Sequence, residues 1–537
     1  MNKIIFNTNY LVINAVNAIK KKNYLEAKNL LEKALSINSE LFEANYNLAI
    51  LNFQLGNIDN SIVYFEKSKK LKPKSTQVFF NLALAYDRLN KLDLAIINFK
   101  KVSKLEPINE LAFYNIGIMY KKKLDIIKAE KYFKKTLYIN QNYVPAYDEL
   151  FGLYESSNQL DKYNDLLDEA KKILSDQNLL KFYSAISHFH KKKYHDVIEI
   201  MENLELNKDN FHQNLTRHSF LAKSYDRIKN FDKAYYHFKI NNELVNNYYG
   251  KNINEKIFIN YVEKRLEFFK DIDLKNWKQF QIQNQSTEPT FLVGFPRSGT
   301  TLLDTILRTN NTVEVIEEKP ILRNFLIELE KKTKSDFNHL GNLSEAYILE
   351  MRKFYFNERS KFQGNEKANL VIDKMPLNII HIGEILRFFP KAKFIFALRN
   401  PYDCVLSCFV QQFTLNPAMK NFLTIESSAF LYDLVMNLWK VYNKKFSINC
   451  HFIKYEDTVK NFENTTKDLF KYLELNWTEE AKNFFMNARK RIDISTPSHS
   501  QVISPLYTGS LDRWKNYEKE FEKVKKLLDP WVNEFNF

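Results

Sequence analysis

The sequence predicts two successive architectures in one chain: an α-solenoid of repeated helix pairs, followed by an α/β domain with a central parallel sheet. A period of 34 residues in the first half is typical of stacked helix pairs. In the second half, continuously apolar runs end in polar residues and alternate with helical patterns, which is typical of a buried parallel sheet. A turn with two glycines, between one such run and a helix, predicts an anion-binding loop.

Size and composition set the outer limits. A chain of 537 residues with 45% hydrophobic content is large enough for more than one domain, each with its own core. Three cysteines without a CxxC pair predict no disulfide framework and no cysteine metal site, and they favour a reducing compartment. No apolar run is long enough to span a bilayer. We therefore expect a soluble, cytoplasmic protein with no membrane partner.

The charge balance points to an anionic partner. The formal net charge is +15, which is typical of proteins that bind acidic molecules. Nine lysines lie in triplets at predicted helix-to-helix turns, namely Lys20–Lys22, Lys121–Lys123 and Lys191–Lys193. We interpret these triplets as solvated corners, and we expect no nucleic-acid partner.

The first half repeats small residues at a fixed spacing, each followed four residues later by a large apolar residue. The small residues are Ala27, Ser61, Ala95 and Ala129, and the large ones are Leu31, Phe65, Phe99 and Phe133. Small residues allow two helices to approach closely, and the large residue fills the groove beside them. The pattern weakens after Ala129 and resumes, shifted, at Ala234 and Phe238. It resembles tetratricopeptide repeats, and it predicts six or seven helix pairs over residues 8–250 with a concave peptide-binding surface.

Two further segments complete the predicted domain organisation. Residues 251–288 contain one amphipathic helix, Glu255–Phe269, and then a polar stretch, so we expect a helical linker there. Residues 289–537 form the predicted α/β domain.

The loop lies within Thr290–Thr301, which reads TFLVGFPRSGTT. Gly294 and Gly299 stand five residues apart, as in the phosphate loop GxxxxGK[ST], whose backbone N–H groups hold an anion. Thr300 occupies the position of the usual lysine. Nucleotide triphosphatases use that lysine together with Mg²⁺, and no convincing metal-binding acid follows, so we expect no metal.

Four more apolar runs predict strands: Val313–Ile316, Asn369–Lys374, Lys393–Arg399 and Cys450–Tyr455. Together with the loop, the strand ends bring Arg297, Glu318, Lys374 and Arg399 to one edge, with hydroxyls from Ser298, Thr300, Thr301 and Ser407. Such a set suits a substrate with more than one phosphate-like group. The pair Glu317-Glu318 has two interpretations, a catalytic base or a solvated turn, and the residues by themselves favour the turn.

The motifs resemble those of sulfotransferases. FLVGFPRSGTTLL is similar to their 5′-phosphosulfate loop, and FIFALRNPYDCVLS resembles their 3′-phosphate motif, an Arg after a strand with a Ser eight residues on. The resemblance covers roughly residues 290–517 and is strongest to the tyrosylprotein sulfotransferases and related tetratricopeptide-repeat sulfotransferases. It implies 3′-phosphoadenosine 5′-phosphosulfate as the donor. The concave repeat surface and the basic charge predict a protein or peptide hydroxyl as the acceptor, that of a tyrosine, presented partly by the repeats.

The resemblance also implies roles for individual residues. The implied catalytic residues are Glu318 as the base, with Arg297, Lys374 and Ser498. The implied donor-binding residues are Arg297, Ser298, Gly299, Thr300, Thr301, Arg399, Ser407, Tyr455, Gln501 and Arg513. Ser498, Gln501, Tyr507, Ser510 and Arg513 belong to TPSHSQVISPLYTGSLDRW, which resembles a segment that closes over the donor.

Two positions depart from the tyrosylprotein pattern. Pro320 stands where those enzymes carry an Arg that meets acidic acceptors, and Gln411 replaces a second Arg after the 3′-phosphate Ser. The first departure keeps a saccharide or a small molecule open as the acceptor. Two alternatives from other classes also stay open: a kinase with a phosphate loop, and a repeat scaffold whose nucleotide-binding domain is inactive.

Overall fold

The computed structural model describes residues 2–537 except Lys208, residues 279–287, residues 335–336, Glu366, residues 491–505 and Tyr507. By its internal contacts the chain divides into two units, Met1–Glu205 and Leu206–Phe537. The predicted domain limits at 250 and 289 remain predictions based on the repeat pattern. The observed division lies at Glu205–Leu206, upstream of both.

The first unit consists of antiparallel helix pairs. Its helices are α1 (Asn2–Lys20), α2 (Tyr24–Ile37), α3 (Phe42–Gln54), α4 (Ile58–Leu71), α5 (Thr76–Arg88), α6 (Leu92–Leu105), α7 (Glu110–Lys122), α8 (Ile126–Ile139), α9 (Val144–Ser156), α10 (Leu160–Ile173), α11 (Gln177–His190) and α12 (Tyr194–Glu202). A further pair of the same kind, α13 (Phe211–Arg227) and α14 (Phe231–Tyr249), belongs to the second unit. The described residues up to 249 therefore contain seven pairs, as the sequence predicts.

The 34-residue period reappears in the backbone of the turns. In each of the first six pairs, a residue with left-handed backbone conformation follows the first helix. These residues are Lys22, Gly56, Asn90, Leu124, Asn158 and Lys192. The next such residue, Lys229, comes three residues late, which matches the shifted register at Ala234. A left-handed residue lets the chain leave one helix and enter the next in a short turn, so the repeats share one turn geometry.

The predicted helix crossings are tightly packed. Ala27, Ser61, Ala95 and Ala129 are all fully buried. At Gly117, an added Cβ would lie 2.6 Å from Cε1 of Phe133, so only glycine allows α7 and α8 to approach this closely. In one lysine triplet the exposed side chains also form ion pairs between repeats: Lys121, Lys122 and Lys123 contact Glu149, Asp87 and Asp93.

The second unit contains a five-stranded sheet. Its strands are β1 (Thr290–Gly294), β2 (Val313–Glu317), β3 (Leu370–Lys374), β4 (Lys393–Leu398) and β5 (Asn449–Lys454), and they lie in the order β2-β3-β1-β4-β5. All neighbouring strands are parallel, which confirms the predicted sheet. The central strand β1 is buried along its whole length, and its carboxyl end lies between those of β3 and β4.

Helices surround this sheet. They are α15 (Lys256–Asp271), α16 (Thr300–Leu307), α17 (Ile321–Thr333), α18 (Glu345–Ser360), α19 (Ile382–Phe388), α20 (Pro401–Phe409), α21 (Ile425–Lys445), α22 (Tyr455–Lys460), α23 (Phe462–Tyr472), α24 (Phe484–Lys490) and α25 (Lys525–Phe535). In the part of the chain that the structure describes, no helix is both long and apolar enough to cross a membrane.

Helix α15 is fixed to the α/β core. Nε of Arg265 donates to Oε1 of Glu384 over 2.7 Å, and the two side chains are 2% and 1% exposed. Beside this pair, an added Cβ at Gly383 would lie 2.3 Å from Cζ of Phe269. Helix α15 therefore packs directly against α19, and both belong to the second unit.

Candidate active site

The loop between β1 and α16 has an unusual backbone. Arg297 has φ of 71° and Gly299 has φ of 100°, both in the left-handed region. At Gly299 an added Cβ would lie 2.9 Å from Cδ2 of Tyr455, so glycine is required for space as well as for conformation. Strain at a non-glycine residue such as Arg297 persists where the surrounding structure enforces it, and such positions concentrate at functional sites.

The loop also presents buried polar groups. Ser298 is 2% exposed, and its Oγ has no hydrogen-bond partner among the described residues. Thr300 and Thr301 follow at the N-terminus of α16 and are 4% and 7% exposed. The first N–H groups of a helix have no partner within the helix, so this terminus favours an anion.

Two arginines and a serine meet at this loop. Nε of Arg297 donates to Oγ of Ser407 over 3.0 Å, and Nη1 of Arg399 donates to the Arg297 carbonyl over 3.2 Å. Arg399 follows β4 and Ser407 lies on α20, so the fold brings together residues that are far apart in sequence. Burial lowers the pKa of the Arg297 guanidinium, and the charge of Arg399 lowers it further.

Arg399 also contacts the C-terminal segment. Its guanidinium lies 4.8 Å from the ring centre of Tyr455, and its Nη2 donates to the Ser510 carbonyl over 2.7 Å. The Tyr455 hydroxyl and Ser510 Oγ are 2.7 Å apart. Nε of Arg399 is buried without a partner among the described residues. Arg399 Nε and Ser298 Oγ are therefore two donors at the cationic loop without a partner among the described residues. Such a pair of donors fits a phosphate-like group.

A second cluster lies at the ends of β2 and β3. Nζ of Lys374 donates to Oε1 of Glu317 over 3.1 Å and to Oε1 of Glu318 over 2.8 Å. Lys374 is fully buried; the side chain of Glu317 is 7% exposed and that of Glu318 is 38% exposed. Glu318 has φ of 49°, and its N–H donates to the Lys374 carbonyl over 2.8 Å. The left-handed turn thus aims two adjacent carboxylates at one ammonium group.

The charge of Lys374 is well supported. Burial by itself would lower its pKa, but the carboxylates of Glu318 and Glu317 overcome that effect, and the pKa lies above its ordinary value. Lys374 therefore stays protonated at neutral pH while it is buried.

Residues 512–514 are attached to this region by two carboxylates that the sequence did not indicate, those of Asp403 and Asp226. Asp403 accepts hydrogen bonds from the N–H groups of Asp512 and Trp514, each over 2.9 Å. Arg513, an implied donor ligand, lies 3.1 Å from Oδ1 of Asp226 on α13. The sequence offers one signal for this contact, the acidic residue Asp403 in the first turn of the helix after Arg399. A sequence does not show which backbone N–H groups such a carboxylate binds.

The structure brings most of the predicted residues to one edge of the sheet. The loop residues, Arg399, Ser407 and Tyr455 form one group, and Lys374 with Glu318 forms another at the adjoining strand ends. Ser498, Gln501 and Tyr507 lie outside the described residues. Within the described residues, no group of three or more His, Cys, Asp or Glu side chains could hold a metal ion.

These features define a class: a parallel α/β domain whose central strand opens into an anion-binding loop, with cations at the neighbouring strand ends. Comparison with protein families gives a closer assignment. Residues 289–479 match the model of the sulfotransferase family, and residues 42–75 and 76–109 match that of the tetratricopeptide repeat. The matched segments are thus similar to the sulfotransferase family in the second half of the chain and to the tetratricopeptide repeat in the first half, as the motifs predict.

Relatives in other organisms are distant. An uncharacterized protein of Aquifex aeolicus is 25% identical over 342 residues, which is 59% of this chain and 42% of that protein. Protein-tyrosine sulfotransferase 1 of Danio rerio is 23% identical over 242 residues, 43% of this chain and 67% of its own length. The protein-tyrosine sulfotransferase of Drosophila melanogaster is 24% identical over 249 residues, 43% and 48% of the two chains. The chain therefore spans less than half of the Aquifex and Drosophila proteins.

The chain is also similar in part to solved structures. A MamA protein is similar with a TM-score of 0.30 and 19% identity, over 32% of this chain and 94% of that one. A tetratricopeptide repeat protein from Parabacteroides merdae ATCC 43184 gives a TM-score of 0.35 and 17% identity, over 44% and 93% of the two chains.

Proposed function

We propose that this protein transfers the sulfuryl group of 3′-phosphoadenosine 5′-phosphosulfate to an acceptor hydroxyl, that of a protein tyrosine. One observation carries the proposal: two features lie at the same edge of the sheet. The first is an anion loop that joins Arg297, Ser407 and Arg399. The second is a buried Lys374 that contacts the exposed Glu318. The first feature suits a donor with two phosphate groups. The second suits removal of a proton beside a site of developing negative charge.

The roles divide along the same line. Arg297 and the 298–301 backbone would hold the 5′-phosphosulfate end of the donor, and Arg399 with Ser407 would hold its 3′-phosphate. The resemblance adds Tyr455, Gln501 and Arg513 to the donor site. Charge-assisted hydrogen bonds of this kind are worth roughly 1.5–3 kcal/mol each. Binding would therefore need no metal ion.

The transfer step uses the residues of the second cluster together with Arg297 and Ser498. The acceptor oxygen bonds to sulfur while the bond from sulfur to the 5′-phosphate oxygen breaks, and adenosine 3′,5′-bisphosphate leaves. Glu318 accepts the hydroxyl proton. Lys374 and Arg297 stabilise the charge that builds on the leaving oxygen, and Ser498 would add a hydrogen bond. A positioned base contributes roughly 10²–10⁴-fold to such a step.

Calorimetry with adenosine 3′,5′-bisphosphate in the presence of EDTA tests the donor site. We expect binding to the full chain without metal, and Arg399→Ala should weaken it more than about tenfold because a charge-assisted contact is lost. Arg323→Ala, at an exposed position on α17, is the matched control and should leave the affinity unchanged. Binding that strictly requires Mg²⁺, or an Arg399→Ala variant with full affinity, would contradict the proposal.

The acceptor class requires a separate assay. Transfer from labelled donor should be detected on tyrosine peptides with acidic neighbours, because the chain is strongly basic. Activity confined to glycans or to small phenols would overturn the tyrosine assignment and leave the donor assignment in place. Transfer of phosphate from ATP would instead favour the kinase alternative.

A further inference from the structure

The second helices of four successive pairs carry a column of lysines. Lys33, Lys67, Lys101 and Lys135 lie on α2, α4, α6 and α8 at intervals of 34 residues, and all four are exposed. Because the repeats share one turn geometry, residues one period apart occupy equivalent positions in their pairs. The column therefore runs along one side of the repeat unit.

These lysines lack the carboxylate partners that neighbouring lysines have, although Lys67 lies over the ring of Tyr64 and Lys135 lies over those of Phe113 and Tyr138. On the same helices, Lys28 pairs with Glu32 over 3.8 Å and Lys134 pairs with Glu130 over 2.9 Å. Lys69 likewise forms an ion pair with Glu66. In contrast, none of the four column lysines forms an ion pair with any residue that the structure describes.

Two more lysines widen the column. Lys70 and Lys104 lie three residues after Lys67 and Lys101, on the same side of α4 and α6, and both are exposed without an ion pair among the described residues. The surrounding sequence has little acid to offset them: residues 1–140 contain 23 Lys and Arg against 12 Asp and Glu. This side of the repeat unit therefore carries a concentrated positive charge.

Apolar side chains share the same rows. Val63 and Ile97 lie four residues before Lys67 and Lys101 and are 52% and 61% exposed. Tyr138 lies three residues after Lys135 and is 79% exposed. Single exposed apolar residues are ordinary on a protein surface, but here they recur beside the unpaired lysines at i, i+3 and i, i+4 spacing. We call this surface the lysine face; its members are Lys33, Lys67, Lys70, Lys101, Lys104, Lys135, Val63, Ile97 and Tyr138.

We propose that the lysine face binds an anionic membrane surface. Lysine clusters of this size bind acidic lipid headgroups, and each lysine contributes separately. An acidic polypeptide or a nucleic acid would need the lysines only. The exposed Val63 and Ile97 side chains gain free energy where the partner also offers hydrocarbon, which a lipid interface does. The sequence predicted no membrane partner because no run spans a bilayer, but a surface contact needs no spanning segment.

Co-sedimentation of the full chain with vesicles tests this proposal. We expect binding to phosphatidylcholine and phosphatidylserine in equal parts, no binding to phosphatidylcholine alone, and weaker binding as salt rises. The variant with Lys33, Lys67, Lys101 and Lys135 changed to Gln should bind at least about a hundredfold less tightly. The matched control changes Lys121, Lys122, Lys123 and Lys128 to Gln. It removes the same charge from lysines that are ion-paired, and it should bind almost as well as the natural chain.

The apolar members separate a membrane from a soluble polyanion. Val63→Ser with Ile97→Ser should weaken vesicle binding and leave binding to polyglutamate unchanged, and circular dichroism confirms that each variant is folded. Equal losses in the two lysine variants would overturn the proposal, since net charge rather than the lysine face would then be responsible. Failure to bind anionic vesicles, or an affinity for polyglutamate as high as that for vesicles, would also overturn it.

Discussion

At the scale of single residues, Lys374 makes two unequal contacts. Glu317 lies in β2 with a nearly buried side chain, whereas Glu318 follows the strand in a left-handed turn and keeps about a third of its surface exposed. Both oxygens lie within hydrogen-bond distance of Nζ. An acceptor can reach only the exposed carboxylate, so exposure rather than contact with Lys374 distinguishes the two residues.

We predict that Glu318→Gln lowers the transfer rate at least about a hundredfold with donor binding intact, because the base is lost. Glu317→Gln should cost less and should shift the pH profile downward, since one of two carboxylates that raise the pKa of Lys374 is removed. Steady-state rates across pH measure both. The base assignment is wrong if Glu317→Gln is the inactive variant.

Asp373 gives a pH dependence of stability. It lies in β3 and is 1% exposed; burial raises its pKa from the ordinary 3.8 to about 7, although the Tyr355 hydroxyl donates to its Oδ2 over 3.1 Å. Between these two pKa values the folded chain binds a proton that the unfolded chain has released, so the free energy of unfolding falls as pH rises through this window.

Asp373→Asn should remove this dependence, because an amide keeps a hydrogen-bond acceptor for Tyr355 without titrating. Thermal unfolding of the two chains from about pH 4 to pH 8 tests the expectation. The variant should gain stability relative to the natural chain as pH rises from about 4 to about 7, and the difference should level off above pH 7, where Asp373 is charged in both the folded and the unfolded chain. Parallel pH profiles would mean that Asp373 titrates normally.

At the scale of elements, α15 is attached to the rest of the second unit by a buried ion pair. The guanidinium of Arg265 lies 3.6 Å from the ring centre of Tyr261 and contacts Glu384 at the same time. Removal of one member of a buried ion pair leaves the other charge without compensation, which costs about 3–5 kcal/mol.

We therefore expect Arg265→Met to lower the free energy of unfolding of the second unit by roughly 3–5 kcal/mol, measured by urea denaturation. Lys264→Met, at the exposed neighbouring position, is the control and should change it by less than about 0.5 kcal/mol. Adding Glu384→Gln to Arg265→Met should restore part of the loss. No loss in the single variant would show that α15 contributes little to this unit.

At the scale of the whole molecule, the repeat unit offers polar groups to the peptide acceptor that we propose. Asn47, Asn81 and Asn115 recur at 34-residue intervals on the first helices α3, α5 and α7 and are half-buried. Their Oδ1 atoms accept no hydrogen bond from the described residues, although each Nδ2 donates within the repeat unit. These oxygens could accept from the N–H groups of an extended peptide.

Changing the three asparagines to Ala should raise the KM for a long peptide acceptor about tenfold or more, with the affinity for adenosine 3′,5′-bisphosphate and the rate on a small phenol unchanged. The control changes Asn29, Asn60 and Asn142 to Ala, which are exposed elsewhere on the repeats. Unchanged peptide kinetics would remove acceptor binding from these positions and leave the proposed chemistry untouched.

The sequence by itself determined the order of the two architectures, the 34-residue period, the five strands and the residues at their ends. Each of these depends on local spacing: small residues at helix crossings, apolar runs in buried strands, and glycine where the loop backbone requires it. The same local rules placed Arg297 and Gly299 in the loop between β1 and α16, and Lys374 at the end of β3.

Only the tertiary structure decided which side chains meet. The contact of Arg297 with Ser407, the two carboxylates on Lys374 and the attachment of α15 all join residues far apart in the chain, and no spacing rule reports them. The same holds for the lysines: the sequence treats Lys67 and Lys122 alike, but folding pairs Lys122 with Asp87 and leaves Lys67 without an ion pair among the described residues. Charge is a property of the residue, whereas compensation of that charge depends on which carboxylate the fold places beside it.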